Sequence, residues 1–142
     1  MKKTVFIADE DISIDSLVRV VQRMDKSLDI TLCSSIESAI PILRSRRFDA
    51  LVFDLWLQAD TSALGSLPDD SSILSGYYLY KFMQKDDACQ NKNTPYAILT
   101  GLSISEHPKI LDLSKQLNRF FIQKPVRPRQ FIDIINELIT KR

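Results

Sequence analysis

The sequence is poor in glycine, cysteine and histidine, and each shortage excludes a class of site. Its 142 residues include three glycines, where average usage of about 7% gives roughly ten. The glycine-rich phosphate loops of dinucleotide-binding and P-loop proteins cannot be written from these three. One histidine and two distant cysteines, Cys33 and Cys89, exclude a zinc site of usual composition and favour a reducing compartment.

Strong net charge and long apolar runs are also lacking. The 19 basic and 18 acidic residues leave a formal charge of +1, so no long-range attraction to nucleic acid or to an anionic membrane is expected. No apolar run approaches the ~20 residues that a membrane span needs. The N-terminus leads directly into a strand-like run and lacks the pattern of a signal peptide. We therefore expect a cytoplasmic protein without nucleic-acid or membrane partners.

What the sequence does contain is a regular alternation of short apolar runs with segments of helical periodicity. The apolar runs are predicted as strands at 4–8, 29–33, 50–53, 96–99 and 120–122. Strands that are apolar throughout are typical of parallel sheets covered on both faces, and the helices between them impose an α/β layered architecture. Ser35 is a predicted N-cap of the second helix, which contains Pro41. The pattern predicts one α/β domain over residues 1–142.

One segment interrupts this alternation. Residues 58–75 are rich in serine, aspartate and alanine and have no helical or strand periodicity. The segment lies between the third strand and the third helix, and we interpret it as an inserted loop. Loops of this length in a compact domain are usually functional or disordered.

Polar residues follow four of the five predicted strands. Asp9 and Glu10 come after the first strand, Asp54 after the third, Thr100 after the fourth and Lys124 after the fifth. Because ligands bind outside the carboxyl ends of the strands in an open parallel sheet, these residues are predicted to meet at one edge.

Such a cluster has a specific chemistry. Neighbouring carboxylates repel one another unless a cation compensates, and a site made of oxygen donors prefers a hard ion such as Mg²⁺. A lysine can pair with a carboxylate or with a phosphoryl oxygen. Asp54, placed between a divalent cation and Lys124, is therefore a chemically competent phosphoryl acceptor.

These residues, together with Pro125, resemble the receiver domain of two-component response regulators over nearly the whole chain, with the insertion as the exception. The resemblance implies a flavodoxin-like, doubly wound parallel sheet of strand order 2-1-3-4-5. It also implies that Asp54 takes a phosphoryl group from a sensor histidine kinase or a phosphotransfer protein.

The resemblance further implies a Mg²⁺ site beside the acceptor. Glu10 would be a direct ligand, Asp9 would act mostly through water, and Asp54 and the backbone carbonyl of Trp56 would complete the set. The family usually has aspartate where this chain has Glu10, so Asp11 remains an alternative direct ligand.

The remaining implied roles concern the phosphoryl group and the response to it. Thr100 and Lys124 would bind the phosphoryl oxygens, and Phe121 matches the switch aromatic of the family, although its apolar neighbours equally predict a core position. The Lys124–Pro125 bond would be cis. Because the sequence stops within a few residues of the fifth helix, we expect a stand-alone receiver that signals by changed affinity for a protein partner. The family also suggests a homodimer through the face of helix 4, strand 5 and helix 5.

Other functions remain open beside this one. The long insertion and Glu10 are compatible with a pseudo-receiver, an interaction module that does not need phosphorylation. The acidic residues after the first strand would repel the phosphate of a flavin cofactor. A phosphatase with an aspartate nucleophile typically has a second aspartate two residues later, where this chain has Trp56. Apart from its own phosphorylation and dephosphorylation, the protein is not expected to turn over a substrate.

Overall fold

In the computed structural model, which describes residues 2–57 and 61–141, five strands alternate with five α-helices. None of the helices in these ranges is long and apolar enough to cross a membrane. The strands are β1 (Lys3–Ala8), β2 (Leu28–Cys33), β3 (Ala50–Phe53), β4 (Tyr96–Thr100) and β5 (Phe121–Gln123). The helices are α1 (Ile12–Met24), α2 (Ile36–Ser45), α3 (Ser75–Lys85), α4 (Pro108–Leu117) and α5 (Pro128–Thr140).

All five strands form one parallel sheet in the order β2-β1-β3-β4-β5, which confirms the predicted topology. The register sets the strand ends side by side. Ala8 pairs with Phe53, and Thr100 pairs with Gln123. The residues that follow these pairs therefore leave the sheet at the same edge.

The sheet is buried on both faces, which explains why its strands are apolar throughout. Within β1, Phe6 and Ala8 belong to the core that α2, α3 and α4 cover, whereas Val5 and Ile7 belong to the core under α1 and α5. All four side chains are inaccessible to solvent. Successive residues of a strand point to opposite faces, so a strand covered on both sides shows no alternation of apolar and polar residues.

Side-chain caps fix where three of the helices begin. Asp11, Ser35 and His107 cap α1, α2 and α4, each accepting a hydrogen bond from a backbone N–H two or three residues further on. The prediction of Ser35 as a cap is confirmed. α2 continues through Pro41 from the predicted start, so the proline does not displace the N-terminus of the helix.

The fifth strand starts one residue later than predicted. The prediction was 120–122, but Phe120 ends a 3₁₀ turn (Asn118–Phe120) and the strand is Phe121–Gln123. Asn118 has a φ of 54°, a conformation in which asparagine is enriched among residues other than glycine. Asn118 ends α4 and starts the 3₁₀ turn. Phe120 therefore belongs to this turn and not to β5.

Residues 58–74 form most of the link between β3 and α3 and are here called the β3–α3 connection. The residues on either side of this segment, Leu57 and Ser75, are hydrogen-bonded to each other. Ser75 Oγ donates to the Leu57 carbonyl at 2.7 Å and accepts from the Leu57 N–H at 2.8 Å. The described part contains two 3₁₀ turns, Ser62–Leu64 and Asp69–Ser72, and buries Leu64 and Leu74. Residues 58–60 of the predicted insertion lie outside the described residues. Because its ends meet, the connection adds length without displacing β3 from α3.

Candidate functional site

Lys124 is the centre of the polar cluster at the carboxyl edge of the sheet. Its Nζ lies 2.8 Å from Oδ2 of Asp9, 3.1 Å from Oδ2 of Asp54 and 3.5 Å from Oδ2 of Asp11. The structure thus brings residues that follow β1, β3 and β5 into direct contact. The lysine is nearly buried, so these contacts are screened less by solvent than surface ion pairs are.

Asp9 is the most deeply buried acid of the cluster, with 2% of its surface exposed. Its Oδ1 accepts a hydrogen bond of 2.9 Å from the Asp11 N–H. Its Oδ2 is fully buried and receives no aligned hydrogen bond from any described residue, because the contact with Lys124 is an ion pair without hydrogen-bond alignment. Burial raises the pKa of Asp9 to about 6, the contact with Lys124 opposes this shift, and the charge of Asp54 adds to it.

The position of Lys124 is set from β4. Its N–H donates to the Thr100 carbonyl at 2.8 Å, and Gln123 Nε2 donates to the same oxygen at 3.0 Å. The Lys124–Pro125 bond is cis, as the resemblance implied. Burial alone would lower the pKa of Lys124, but the contacts with Asp9 and Asp54 outweigh it and raise that pKa. Nothing in the sequence singled out Gln123, although it directly precedes the Lys124–Pro125 pair.

Asp54 is held by its backbone as well as by its carboxylate. Its Oδ1 accepts from the Trp56 N–H at 3.2 Å, and 7% of the residue is exposed. Gly76, in the first turn of α3, packs directly on the Asp54 backbone, and a Cβ at this position would lie 1.6 Å from the Asp54 carbonyl oxygen. The Gly76 N–H also donates to the Leu55 carbonyl at 2.9 Å. A glycine is therefore needed for α3 to approach the acceptor loop.

A cavity of about 420 Å³ opens beside Asp54. Thr100 is fully buried, and its hydroxyl oxygen accepts from the Leu102 N–H at 3.1 Å while its own proton can be donated. Trp56 is about half exposed. The described lining residues are Glu10, Asp11, Asp54, Trp56, Thr100, Gly101, Leu102 and Lys124.

Two of the predicted site residues do not line this cavity. Asp9 instead contacts Lys124. Phe121 starts β5 opposite Ile98 and packs against the core under α2, α3 and α4. The other five predicted site residues all line the cavity: Glu10, Asp54, Trp56, Thr100 and Lys124.

The charges of this edge are unbalanced. Counting only the described residues of the cluster, Asp9, Glu10, Asp11 and Asp54 and the one lysine Lys124 carry a formal charge of −3 when all are ionised. Within the described ranges, no three histidine, cysteine or acidic side chains stand in a ready-made metal cluster. Lys124 instead contacts three of the carboxylates. The oxygen donors of these acids, their negative charge and the Oδ2 of Asp9, which receives no aligned hydrogen bond from the described residues, nevertheless fit a hard divalent cation.

A second polar cluster joins the β3–α3 connection to two helices. Asp70 accepts a hydrogen bond of 2.6 Å from Tyr78 Oη, and it lies 3.2 Å from Lys109 Nζ and 3.4 Å from His107 Nε2. The hydrogen bond from Tyr78 and the charge of Lys109 lower the pKa of Asp70. No sequence pattern indicated this cluster, because its members come from separate segments of the chain and form no motif.

Comparison with solved structures shows that the chain has a known fold. The receiver domain of Francisella response regulator 1452 superposes with a TM-score of 0.67 at 20% identity, over 99% of this chain and 98% of that one. The chain has the fold of a response-regulator receiver domain. The receiver-like chemotaxis response regulator CheY4 of Vibrio cholerae also gives a TM-score of 0.67, at 17% identity over 97% of this chain and 99% of its own.

A third receiver domain carries a metal. It belongs to a sensor histidine kinase from Pseudomonas aeruginosa PAO1 and has a magnesium ion coordinated in its active site cleft. It matches with a TM-score of 0.67 at 13% identity, and the match covers 99% of each chain. No protein-family model and no curated protein matches the sequence. The likeness to receiver domains is therefore a likeness of fold.

Proposed function

We propose that the protein is a phosphoacceptor receiver in which Asp54 takes a phosphoryl group from a sensor histidine kinase or a phosphotransfer protein. The observation that carries the proposal is the buried contact of Lys124 with Asp54 and Asp9, at the edge of a sheet with the receiver fold. The ammonium group of Lys124 lies 3.1 Å from Oδ2 of Asp54, close enough to bind an oxygen of a phosphoryl group attached there. The output is a changed affinity for a downstream protein.

The transfer step is a displacement at phosphorus. A carboxylate oxygen of Asp54 forms the new O–P bond as the N–P bond of the phosphohistidine breaks. The electron pair of the broken bond stays on the imidazole nitrogen, which leaves as a neutral ring when its other nitrogen is protonated. Lys124 and the Thr100 hydroxyl donate hydrogen bonds to the phosphoryl oxygens, and these charge-assisted contacts stabilise the product.

The metal proposed for this step is Mg²⁺. Glu10, Asp54 and the carbonyl of Trp56 would hold it directly and Asp9 mostly through water, and the ion would offset the negative charge of the transferring group. Asp11 Oδ1 already accepts from the Ser13 N–H as the cap of α1, which favours Glu10 over Asp11 as the direct ligand.

The proposed response is a shift in the population of two states of the face formed by α4, β5 and α5. Thr100 would move to donate a hydrogen bond to the phosphoryl group, and Phe121 would change its packing because Thr100 has moved. This face is where we place the downstream partner and a homodimer contact. Cys33 and Cys89 are buried, free thiols, which agrees with the proposed cytoplasmic location.

A pseudo-receiver is the second candidate. Glu10 in place of the usual aspartate and the long β3–α3 connection, with 3₁₀ turns at Ser62–Leu64 and Asp69–Ser72, favour it. A pseudo-receiver keeps the fold and its partner surface but does not respond to phosphorylation, so the same experiment separates the two candidates.

Trp56, the only tryptophan, provides that experiment. Its fluorescence is recorded during titration with Mg²⁺ and then with beryllofluoride, which mimics a phosphoryl group on a carboxylate. We expect two successive changes in the native protein and no beryllofluoride response in Asp54→Asn, while Asp29→Asn, at an exposed position of β2, responds like the native protein. An absent response in the native protein, or an equal response in Asp54→Asn, contradicts the phosphoacceptor proposal.

A further prediction concerns the lifetime of the phosphoryl group. The residues two positions after Asp54 and Thr100 are Trp56 and Leu102, and both line the cavity. Neither side chain can orient an attacking water as an acid or an amide could, so we expect slow hydrolysis. Trp56→Asn should speed the loss of labelled phosphoryl several-fold, and Trp56→Phe should leave the rate unchanged. Fast loss from the native protein that neither variant alters is the opposite result.

A further inference from the structure

A second and larger cavity, of about 720 Å³, lies between the β3–α3 connection and α3. It is distinct from the cavity beside Asp54, since none of the described residues lines both. Its volume falls within the range of about 300–1,000 Å³ that is typical of sites for small organic ligands. Nothing in the proposed phosphoryl chemistry uses it.

The walls of this cavity are apolar and aromatic. Leu64 and Leu67 come from the connection, and Tyr77, Tyr78 and Phe82 come from α3. Leu67, Tyr77 and Phe82 are only partly buried although they pack against the core. Apolar surface that the fold leaves in contact with water favours an apolar occupant, because covering it stabilises the complex.

The charged residues of the lining leave a positive balance. The two acids are engaged outside the cavity: Asp86 accepts from Arg44 at 2.7 and 3.2 Å, and Asp87 lies 3.6 Å from Lys92. The third lysine of the lining, Lys109, lies 3.2 Å from Asp70. The other two are Lys81 and Lys85.

These two lysines stand one turn apart on α3, and both line the cavity. Lys81 Nζ lies 5.8 Å from the centre of the Tyr77 ring. Within residues 2–57 and 61–141, neither Lys81 nor Lys85 has a carboxylate at ion-pair distance. The cavity therefore combines an aromatic wall with two ammonium groups that form no ion pair with a described carboxylate.

We propose that this cavity binds a small amphipathic anion. The aromatic or apolar part of the ligand lies against Leu67, Tyr77 and Phe82, and its carboxylate, sulfonate or phosphate group pairs with Lys81 and Lys85. Both parts are required, because exposed ion pairs alone contribute little and the apolar wall alone does not select an anion. The site is independent of phosphoryl transfer to Asp54.

Two fluorescent probes separate these contributions. 8-Anilinonaphthalene-1-sulfonate carries the anion, and N-phenyl-1-naphthylamine has the same aromatic rings without it. We expect saturable 1:1 binding of the sulfonate to the native protein, with near-ultraviolet circular dichroism unchanged. Lys81→Gln combined with Lys85→Gln should weaken it about fivefold to tenfold, with little effect on the neutral probe, and Leu67→Ser should weaken both.

Lys26→Gln combined with Lys115→Gln is the matched control, since both lysines are exposed and lie outside the cavity. This variant removes the same charge and should bind the sulfonate like the native protein. Absence of saturable binding overturns the proposal. An equal loss of sulfonate affinity in both double variants also overturns it, because only net charge would then matter. Unchanged sulfonate affinity in the Lys81 and Lys85 variant overturns it as well, because the apolar surface would then bind without selecting an anion. Because neither probe needs Asp54, the outcome is the same in Asp54→Asn.

Discussion

Replacing Gly76 by alanine is expected to lower the free energy of unfolding by about 3 kcal/mol and to disable the candidate site. The new Cβ would lie 1.6 Å from the Asp54 carbonyl oxygen and 2.8 Å from its carbonyl carbon. Both are backbone atoms, so no side-chain rotation relieves the clash. Either α3 moves away from the sheet or the Asp54 loop shifts, and the second outcome displaces the carboxylate from Lys124. Urea denaturation and the beryllofluoride response of Trp56 measure the two effects.

Gly101→Ala is the matched control for this prediction. A Cβ at Gly101 meets no atom within 4 Å, although the residue lines the same cavity. We therefore expect unchanged or slightly higher stability, because the alanine reduces the freedom of the unfolded chain without a clash. If both alanine variants unfold at the same denaturant concentration as the native protein, α3 does not pack on Asp54 as described.

The second large effect is expected from Asp9→Asn, which should stabilise the metal-free protein while weakening its affinity for Mg²⁺. Asparagine keeps an Oδ1 that can accept from the Asp11 N–H. It removes the buried charge on Oδ2. The amide nitrogen in its place cannot accept from Lys124, so the ammonium group turns to Asp54 and Asp11. We expect a gain of about 1 to 3 kcal/mol at pH 7 in chelator. We expect a loss of about 10- to 100-fold in Mg²⁺ affinity, the range for groups that act through a bound water or ligand.

The pH dependence of this gain follows from the raised pKa. Burial raises the pKa of Asp9 to about 6, so the folded state binds a proton more tightly than the unfolded state does. The native metal-free protein should therefore lose stability, relative to Asp9→Asn, as the pH rises from about 4 to above 6. Near pH 4 the difference should be small. A native protein that is more stable than Asp9→Asn at pH 7 without metal contradicts the view that burying this charge costs more free energy than its contact with Lys124 returns.

Two kinds of feature were predictable from the sequence: elements with a periodic pattern of apolar residues, and polar residues at the ends of predicted strands. Apolar runs gave the five strands, and the parallel arrangement placed Asp9, Asp54 and Lys124 at one edge. The register of the sheet then brings these three together, because Ala8 and Phe53 are paired and end their strands side by side.

The parts that could not be predicted depend on contacts between distant residues. The placement of Lys124 against both Asp9 and Asp54 is one example, since a motif names the residues but not the atoms that touch. The β3–α3 connection is another. It has no periodicity, yet Asp70 in it reaches Tyr78 and Lys109.

The measurement that tests the central claim most directly is the intact mass of the protein after incubation with a small phosphodonor such as phosphoramidate and Mg²⁺. We expect one added phosphoryl group per chain, on the peptide that contains Asp54. The added mass should be absent without Mg²⁺ and absent in Asp54→Asn. Lys124→Gln tests whether this lysine binds the phosphoryl group, and it should reduce the modified fraction. An unmodified native protein, or modification that persists in Asp54→Asn, would contradict the assignment of Asp54 as the phosphoacceptor.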